Sequence, residues 1–116
     1  MNQLNILRKR NNIRQLIEMS NRHKNVLNWG HNETDAHIQM KLEICKYLKK
    51  MGEEFYTEAI FIQGRGRADI VSADRGLIIE VTDSEKEPSI IAKQKKYPLP
   101  LITIKANQEW KEELIQ

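Results

Sequence analysis

The sequence predicts an α/β domain in which helices pack on a mixed four-stranded sheet, and three observations carry that reading. Residues 33–51 have helical apolar spacing, and three short runs rich in β-branched and aromatic residues follow at 55–62, 66–71 and 77–82. The second and third runs flank the turn Asp74-Arg75-Gly76, which makes them an antiparallel hairpin. A helix from Glu87 and a strand at 101–104 then form a strand–helix–strand crossover, which gives the sheet one parallel pair. The expected core order is αβββαβ, and a basic N-terminal helical arm precedes it. Residues 1–31 are read as that arm and residues 32–116 as the body.

Each element has a local cause. In residues 4–19 the spacing of Leu4, Ile6, Leu7, Ile13, Leu16 and Ile17 is loosely helical, interrupted by Asn11-Asn12. Residues 20–31 read as loop. Asn32 or Thr34 can cap the next helix by accepting a bond from a backbone N–H of its first turn. On that helix, Ile38, Leu42, Cys45 and Leu48 form one ridge, and Met40, Ile44, Tyr47 and Met51 form another, so a broad face is buried. Gly52 stops it. Pro88 suits the first turn of the second helix, and Pro98 and Pro100 end it. Asn107 is placed to cap a terminal helix running to Leu114.

Composition bounds the function. A chain of 116 residues with 30% charged and 40% hydrophobic residues is one globular domain. No apolar run approaches the ~20 residues of a membrane span, and no signal-peptide pattern opens the chain, so the expectation is cytoplasmic. Cys45 is the sole cysteine, which excludes an internal disulfide. The net charge of +3 is uneven. Residues 1–31 hold six basic residues, among them Arg8, Lys9, Arg10 and Arg14, against one acid, whereas residues 32–116 hold 13 basic and 15 acidic. Such an arm suits nucleic-acid phosphates, and equally suits a solvated extension with no partner.

The hairpin carries the chemistry. Asp69 and Glu80 each lie in an apolar, β-branched run, where an ionised carboxylate is costly without compensation. If Ala73 pairs with Gly76, Asp69 falls opposite Glu80 on one face, with Cβ atoms about 5 Å apart. A bulge at Gly76 would shift that register. Two such carboxylates repel until a proton or a cation resolves the repulsion, and a divalent ion is the common resolution. Glu58 on the preceding strand offers a third acid. Glu33, His37 and Lys41 follow at four-residue spacing along one side of the first helix. That row either assists metal or phosphate chemistry or forms an exposed charged stripe.

In this order the residues resemble the PD-(D/E)XK nuclease superfamily, and most closely its CoiA-like and archaeal Holliday-junction-resolvase-like small nucleases, a group that extends to viral proteins. The likeness rests on Glu33, His37 and Lys41, then Glu58, Arg67-Ala68-Asp69-Ile70, Ile79-Glu80-Val81-Thr82-Asp83-Ser84, and Gln94 with Tyr97. It covers residues 31–105. It implies a restriction-endonuclease-like core and a metal-dependent DNA endonuclease, a hydrolase of phosphodiesters. Asp69, Glu80 and the Val81 carbonyl would hold Mg²⁺ or Mn²⁺. His37 or Lys41 would position water, and Gln94 would align the site. Arg65, Arg67, Lys93, Lys95 and Lys96 would grip phosphates, with Arg67 alternatively pairing with Glu58. The resemblance also implies a homodimer on DNA, branched or nicked DNA included.

One departure bears on activity. The family pattern ends in Glu-x-Lys, and Thr82 stands where the lysine would be. CoiA-like relatives often carry glutamine there, and Lys41 or Lys93 can reach in from a helix. The same change fits a catalytically inactive nucleic-acid-binding module on the same fold. A scaffold that binds no DNA is the third reading.

Overall fold

The computed structural model describes residues 2–83 and 87–116 and is α/β with a mixed four-stranded sheet. Helix α1 (Gln3–Arg14) leads through a 3-10 turn and a loop to α2 (Asp35–Lys50). Strands β1 (Phe55–Ile60), β2 (Arg67–Ser72) and β3 (Leu77–Thr82) follow, then α3 (Glu87–Lys96) and β4 (Leu101–Lys105). The strand order is β1-β2-β3-β4, antiparallel except for the parallel β3–β4 pair. Thr34 caps α2, its hydroxyl oxygen accepting from the His37 N–H at 3.1 Å.

The sheet separates two apolar layers. Met40, Ile44, Cys45 and Leu48 of α2 pack with Phe55, Ile70, Ile79, Val81 and Ile104. On the other side Ile13 and Ile17 pack with Tyr56, Phe61, Val71, Ile78 and Tyr97. The N-terminal segment therefore folds onto the body and does not extend from it. Arg10 spans from α1 to the hairpin turn, its Nε and one terminal nitrogen binding Asp74 at 2.8 and 2.7 Å. Lys9 lies against the same turn, beside Gly76, while Arg8 and Arg14 are exposed. Asp69 lies five residues from Asp74 along the hairpin, about 15 Å at the rise of a strand. The basic cluster thus sits at the far end of the hairpin from the carboxylates.

The register is the one Ala73 and Gly76 predict. Ser72 pairs with Leu77, Val71 with Ile78 and Ile70 with Ile79, and continuing the count sets Asp69 opposite Glu80. Face alternation, however, inverts at this point. Ile70 belongs to the layer under α2, yet Ala68, two residues earlier, belongs to the opposite layer. The neighbouring strand does the same across Glu58: Phe55 packs under α2 and Ala59 on the other side. Glu58 has φ +48°, a left-handed conformation that costs a non-glycine residue about 1–2 kcal/mol. A rule of strict alternation cannot foresee it.

The expected terminal helix is absent. Residues 106–111 turn and extend, and only a 3-10 turn follows at Glu112–Ile115. The Gln108 side chain accepts from the Lys105 N–H at 2.9 Å, closing a local turn in place of a helix start at Asn107. Trp110 then packs on Tyr47, ring centroids 5.8 Å apart. Among the described residues no helix is long and apolar enough to cross a membrane.

Candidate functional site

Asp69 and Glu80 meet where the hairpin ladder gives way to side-chain bonds. The Asp69 N–H donates to Glu80 Oε2 at 2.8 Å, and the Val81 N–H donates to Asp69 Oδ2 at 2.8 Å. Each carboxylate thus takes a backbone donor from the opposing strand. Because alternation inverts at Asp69, the pair does not lie flat on one face. Asp69 reaches toward α2, with Oδ2 3.3 Å from His37 Nε2. Glu80 reaches toward α3, with Oε1 3.4 Å from Lys93 Nζ and 2.8 Å from the Tyr97 hydroxyl.

Charge follows this geometry. Burial first, and the Asp69 charge second, push the Glu80 carboxyl up to about 7. Burial also acts to raise Asp69, but the neighbouring His37 and Glu80 side chains and the hydrogen bond from the Val81 N–H outweigh it and hold Asp69 below its ordinary range. Asp69 beside it raises His37 above its ordinary value against the effect of burial. The Tyr97 hydroxyl lies 2.7 Å from the Arg67 carbonyl and 2.8 Å from Glu80. One hydroxyl proton serves one acceptor. Gly66 makes room for this ring: at φ +106° it would place a Cβ 2.6 Å from Tyr97 Cε1.

The helix row divides by role. Lys41 is fully buried, and its three donors go to the Asn28 carbonyl at 2.8 Å, Glu58 at 2.8 Å and Glu33 at 3.2 Å. All three donors are occupied, so of the two groups expected to position water, His37 or Lys41, this ammonium is the one already engaged, joining α2, β1 and the preceding loop. Glu58 also forms an ion pair with Arg67, Oε2 3.3 Å from Nε, the alternative role foreseen for that arginine. His37 has a different environment. Its Nδ1 lies 3.5 Å from Asp83, and its Nε2 is buried with no hydrogen-bond partner among the described residues. That nitrogen lies 3.3 Å from Asp69 and 3.8 Å from Glu33, without the alignment of a hydrogen bond.

Glu33, His37 and Asp69 therefore bring three ligand atoms within 4.8 Å of one another, a cluster that can hold a metal ion. This set differs from the expected Asp69, Glu80 and Val81 carbonyl. Asp69 is common to both, but the Glu80 oxygens are already taken by a backbone N–H, Tyr97 and Lys93. The donor chemistry fits a cation. A carboxylate at Nδ1 favours the tautomer whose Nε2 lone pair is free to ligate. Along the connected side chains, five carboxyls (Glu33, Glu58, Asp69, Glu80 and Asp83) face three fixed cations (Lys41, Arg67 and Lys93). With His37 neutral, the assembly is two positive charges short when Glu80 is ionised and one short when Glu80 holds its proton.

Other expectations fall outside the centre. Gln94 is exposed, because Lys93 and Tyr97, one turn apart, occupy the inward side and the next residue is rotated about 100° away. Lys95 and Lys96 are exposed, and Arg65 Nε binds the Lys96 carbonyl at 3.2 Å. Thr82 is buried, and its carbonyl accepts from the Ala106 N–H at 2.8 Å. Ser84 lies outside the described residues. Cys45 is buried, its thiol pushed up to about 12 by burial, which suits core packing. Two contributors went unforeseen. The Asn28 carbonyl lies in a loop with no pattern to mark it, whereas Asp83 stands next to Thr82 in the motif and was open to being read as a partner for His37. Comparison of the chain with family models, with curated proteins and with solved structures finds no match in any of the three.

Proposed function

We propose that this chain is a divalent-metal-dependent DNA endonuclease on a restriction-endonuclease-like core. One observation carries the reading: a buried imidazole nitrogen, without a hydrogen-bond partner among the described residues, faces two carboxylates in an assembly with an excess of negative charge. The αβββαβ order and the convergence of Asp69 and Glu80 support it. Glu33, His37 Nε2 and Asp69 would hold Mn²⁺ or Mg²⁺, and the imidazole favours Mn²⁺. Such an ion, when bound, polarises a phosphodiester and lowers the pKa of an attacking water.

The protein's own groups do the rest. Asp83 at Nδ1 fixes the ring of His37. The Val81 N–H and the Glu80 carboxyl hold Asp69 in place. Lys93 brings an ammonium to Glu80 from α3, the service that a lysine at position 82 would give from the strand. Lys93 and Arg67 supply positive charge for phosphate contact on either side of the hairpin. Thr82 favours a second reading, a module on the same fold that binds DNA without cutting it.

Incubation with Mn²⁺ and Mg²⁺ against single-stranded, duplex and branched DNA separates the two. The nuclease reading expects cleavage that Asp69→Ala and Glu80→Ala abolish. Salt-dependent binding with no cleavage, indifferent to metal and to Asp69→Ala, would replace it with the second reading.

A further inference from the structure

Beside the charged centre, and separate from its metal-ligating atoms, a groove of about 280 Å³ opens between the loop preceding α2 and the β1–β2 end of the sheet. Its walls include Asn21, His23, Trp29, Glu58 and Arg67. Three features distinguish it from an ordinary surface depression. Trp29 is 56% exposed and has no aromatic partner among the described residues. The Arg67 side chain is 64% exposed, and among the described residues its ion pair is made by Nε alone, to Glu58. Asn21 Oδ1 is buried and has no hydrogen-bond partner among the described residues. A buried, unpaired amide oxygen is costly, and native proteins rarely keep one without a use.

A large π-face, an exposed guanidinium and an unpaired amide together match one chemistry. A nucleobase stacks on an indole, presents hydrogen-bonding edges to an amide and carries a phosphate that a guanidinium meets. The volume lies at the small end of ligand pockets, room for one base and not for a base pair within a helix. Its position agrees. Glu58 lines the groove and binds Lys41, which binds Glu33 of the metal-ligating cluster. A nucleotide seated here would adjoin a phosphodiester at that cluster.

We infer that this groove binds an unpaired nucleotide of a DNA strand, its base against Trp29 and its phosphate at Arg67. The inference rests on the nucleic-acid reading above and narrows it: the preferred substrate has a single-stranded segment. The Asn21 amide reads the base edge. The nearby cation-rich flank of α3 contacts the continuing backbone.

Binding is measured in EDTA at low salt, from tryptophan emission and from anisotropy of labelled DNA. A short single-stranded oligonucleotide, the same sequence as a blunt duplex, and a free mononucleotide are compared. The single strand is expected to quench emission and bind more tightly than the duplex. Trp29→Ala is expected to weaken single-strand binding roughly tenfold and leave duplex binding unchanged. Asn21→Ala is expected to weaken it several-fold with no loss of thermal stability, since Oδ1 gives up no bond. Equal affinity for strand and duplex, or wild-type single-strand binding by Trp29→Ala, overturns the inference and leaves the nuclease reading standing. A mononucleotide that binds as well as the oligonucleotide also overturns it. Absence of binding to every DNA in EDTA overturns the inference, and the nuclease reading is overturned separately, by absence of cleavage with Mn²⁺ and Mg²⁺.

Discussion

His37 and Lys41 stand one turn apart on the inner side of α2, and their surroundings are opposite. Lys41 has no exposure and a partner for each of its three donors. His37 has a carboxylate near each nitrogen, yet its Nε2 makes no hydrogen bond among the described residues. The first is a closed arrangement: positive charge is fixed, geometry is met, and nothing remains for a ligand. The second is open, with an excess of carboxylate around a ring nitrogen that makes no hydrogen bond among the described residues. Burial alone does not mark a functional group. A group that is buried and still lacks its complement does.

The largest effect expected from this contrast belongs to the closed half. Lys41→Met removes the buried cation that Glu33 and Glu58 share, leaves Glu58 with Arg67 alone, and holds Glu58 in a left-handed conformation with less to retain it. Denaturant unfolding should show a loss of about 3–5 kcal/mol. A loss under 1 kcal/mol would mean that the ammonium is not the organiser described here.

The open half should show itself through pH. Glu80 has an ordinary value of 4.5 and a folded value of about 7, so folding takes up a proton between those limits. Its stabilising neutral form is therefore lost as pH rises from 4.5 to 7, a change on the order of 3 kcal/mol. His37 is raised as well, so its contribution is present below its unfolded value and lost as pH rises through its folded value. Both act in one direction. The metal-free protein should melt at a lower temperature at pH 8 than at pH 5, and Glu80→Gln should flatten that slope. A melting temperature that rises over the same interval would contradict a Glu80 carboxyl raised by burial beside Asp69.

A smaller effect is expected at the support for Glu80. Gly66→Ala sets a Cβ into the Tyr97 ring at a φ of +106°, and should cost about 1–3 kcal/mol in thermal unfolding. A neutral outcome would show that the Tyr97 contacts are not held by this close approach.

Much of this was legible from residue order. The turn at Asp74-Arg75-Gly76 set the register, Thr34 marked the start of α2, and two carboxyls in apolar runs marked the centre. What escaped has identifiable causes. A period-two rule cannot anticipate a left-handed Glu58, so Asp69 was expected flat beside Glu80 and not turned to α2. A lysine on a helix reads as solvated, although Lys41 lies between the ridges through Met40, Ile44 and Cys45, where a buried ion pair was inferable. Gln94 was assigned by motif, and helical rotation gives its inward place to Lys93. The N-terminal basic residues read as an arm because charge outweighed Ile13 and Ile17, which fix α1 and its extension to the body.

The central claim is that Glu33, His37 and Asp69 form a divalent-ion site, and calorimetric titration with Mn²⁺ tests it most directly. The wild-type protein should take up one ion per chain, and Asp69→Asn should weaken that uptake at least ~10-fold while remaining folded. No uptake by the wild type, or equal affinity in Asp69→Asn, would contradict it.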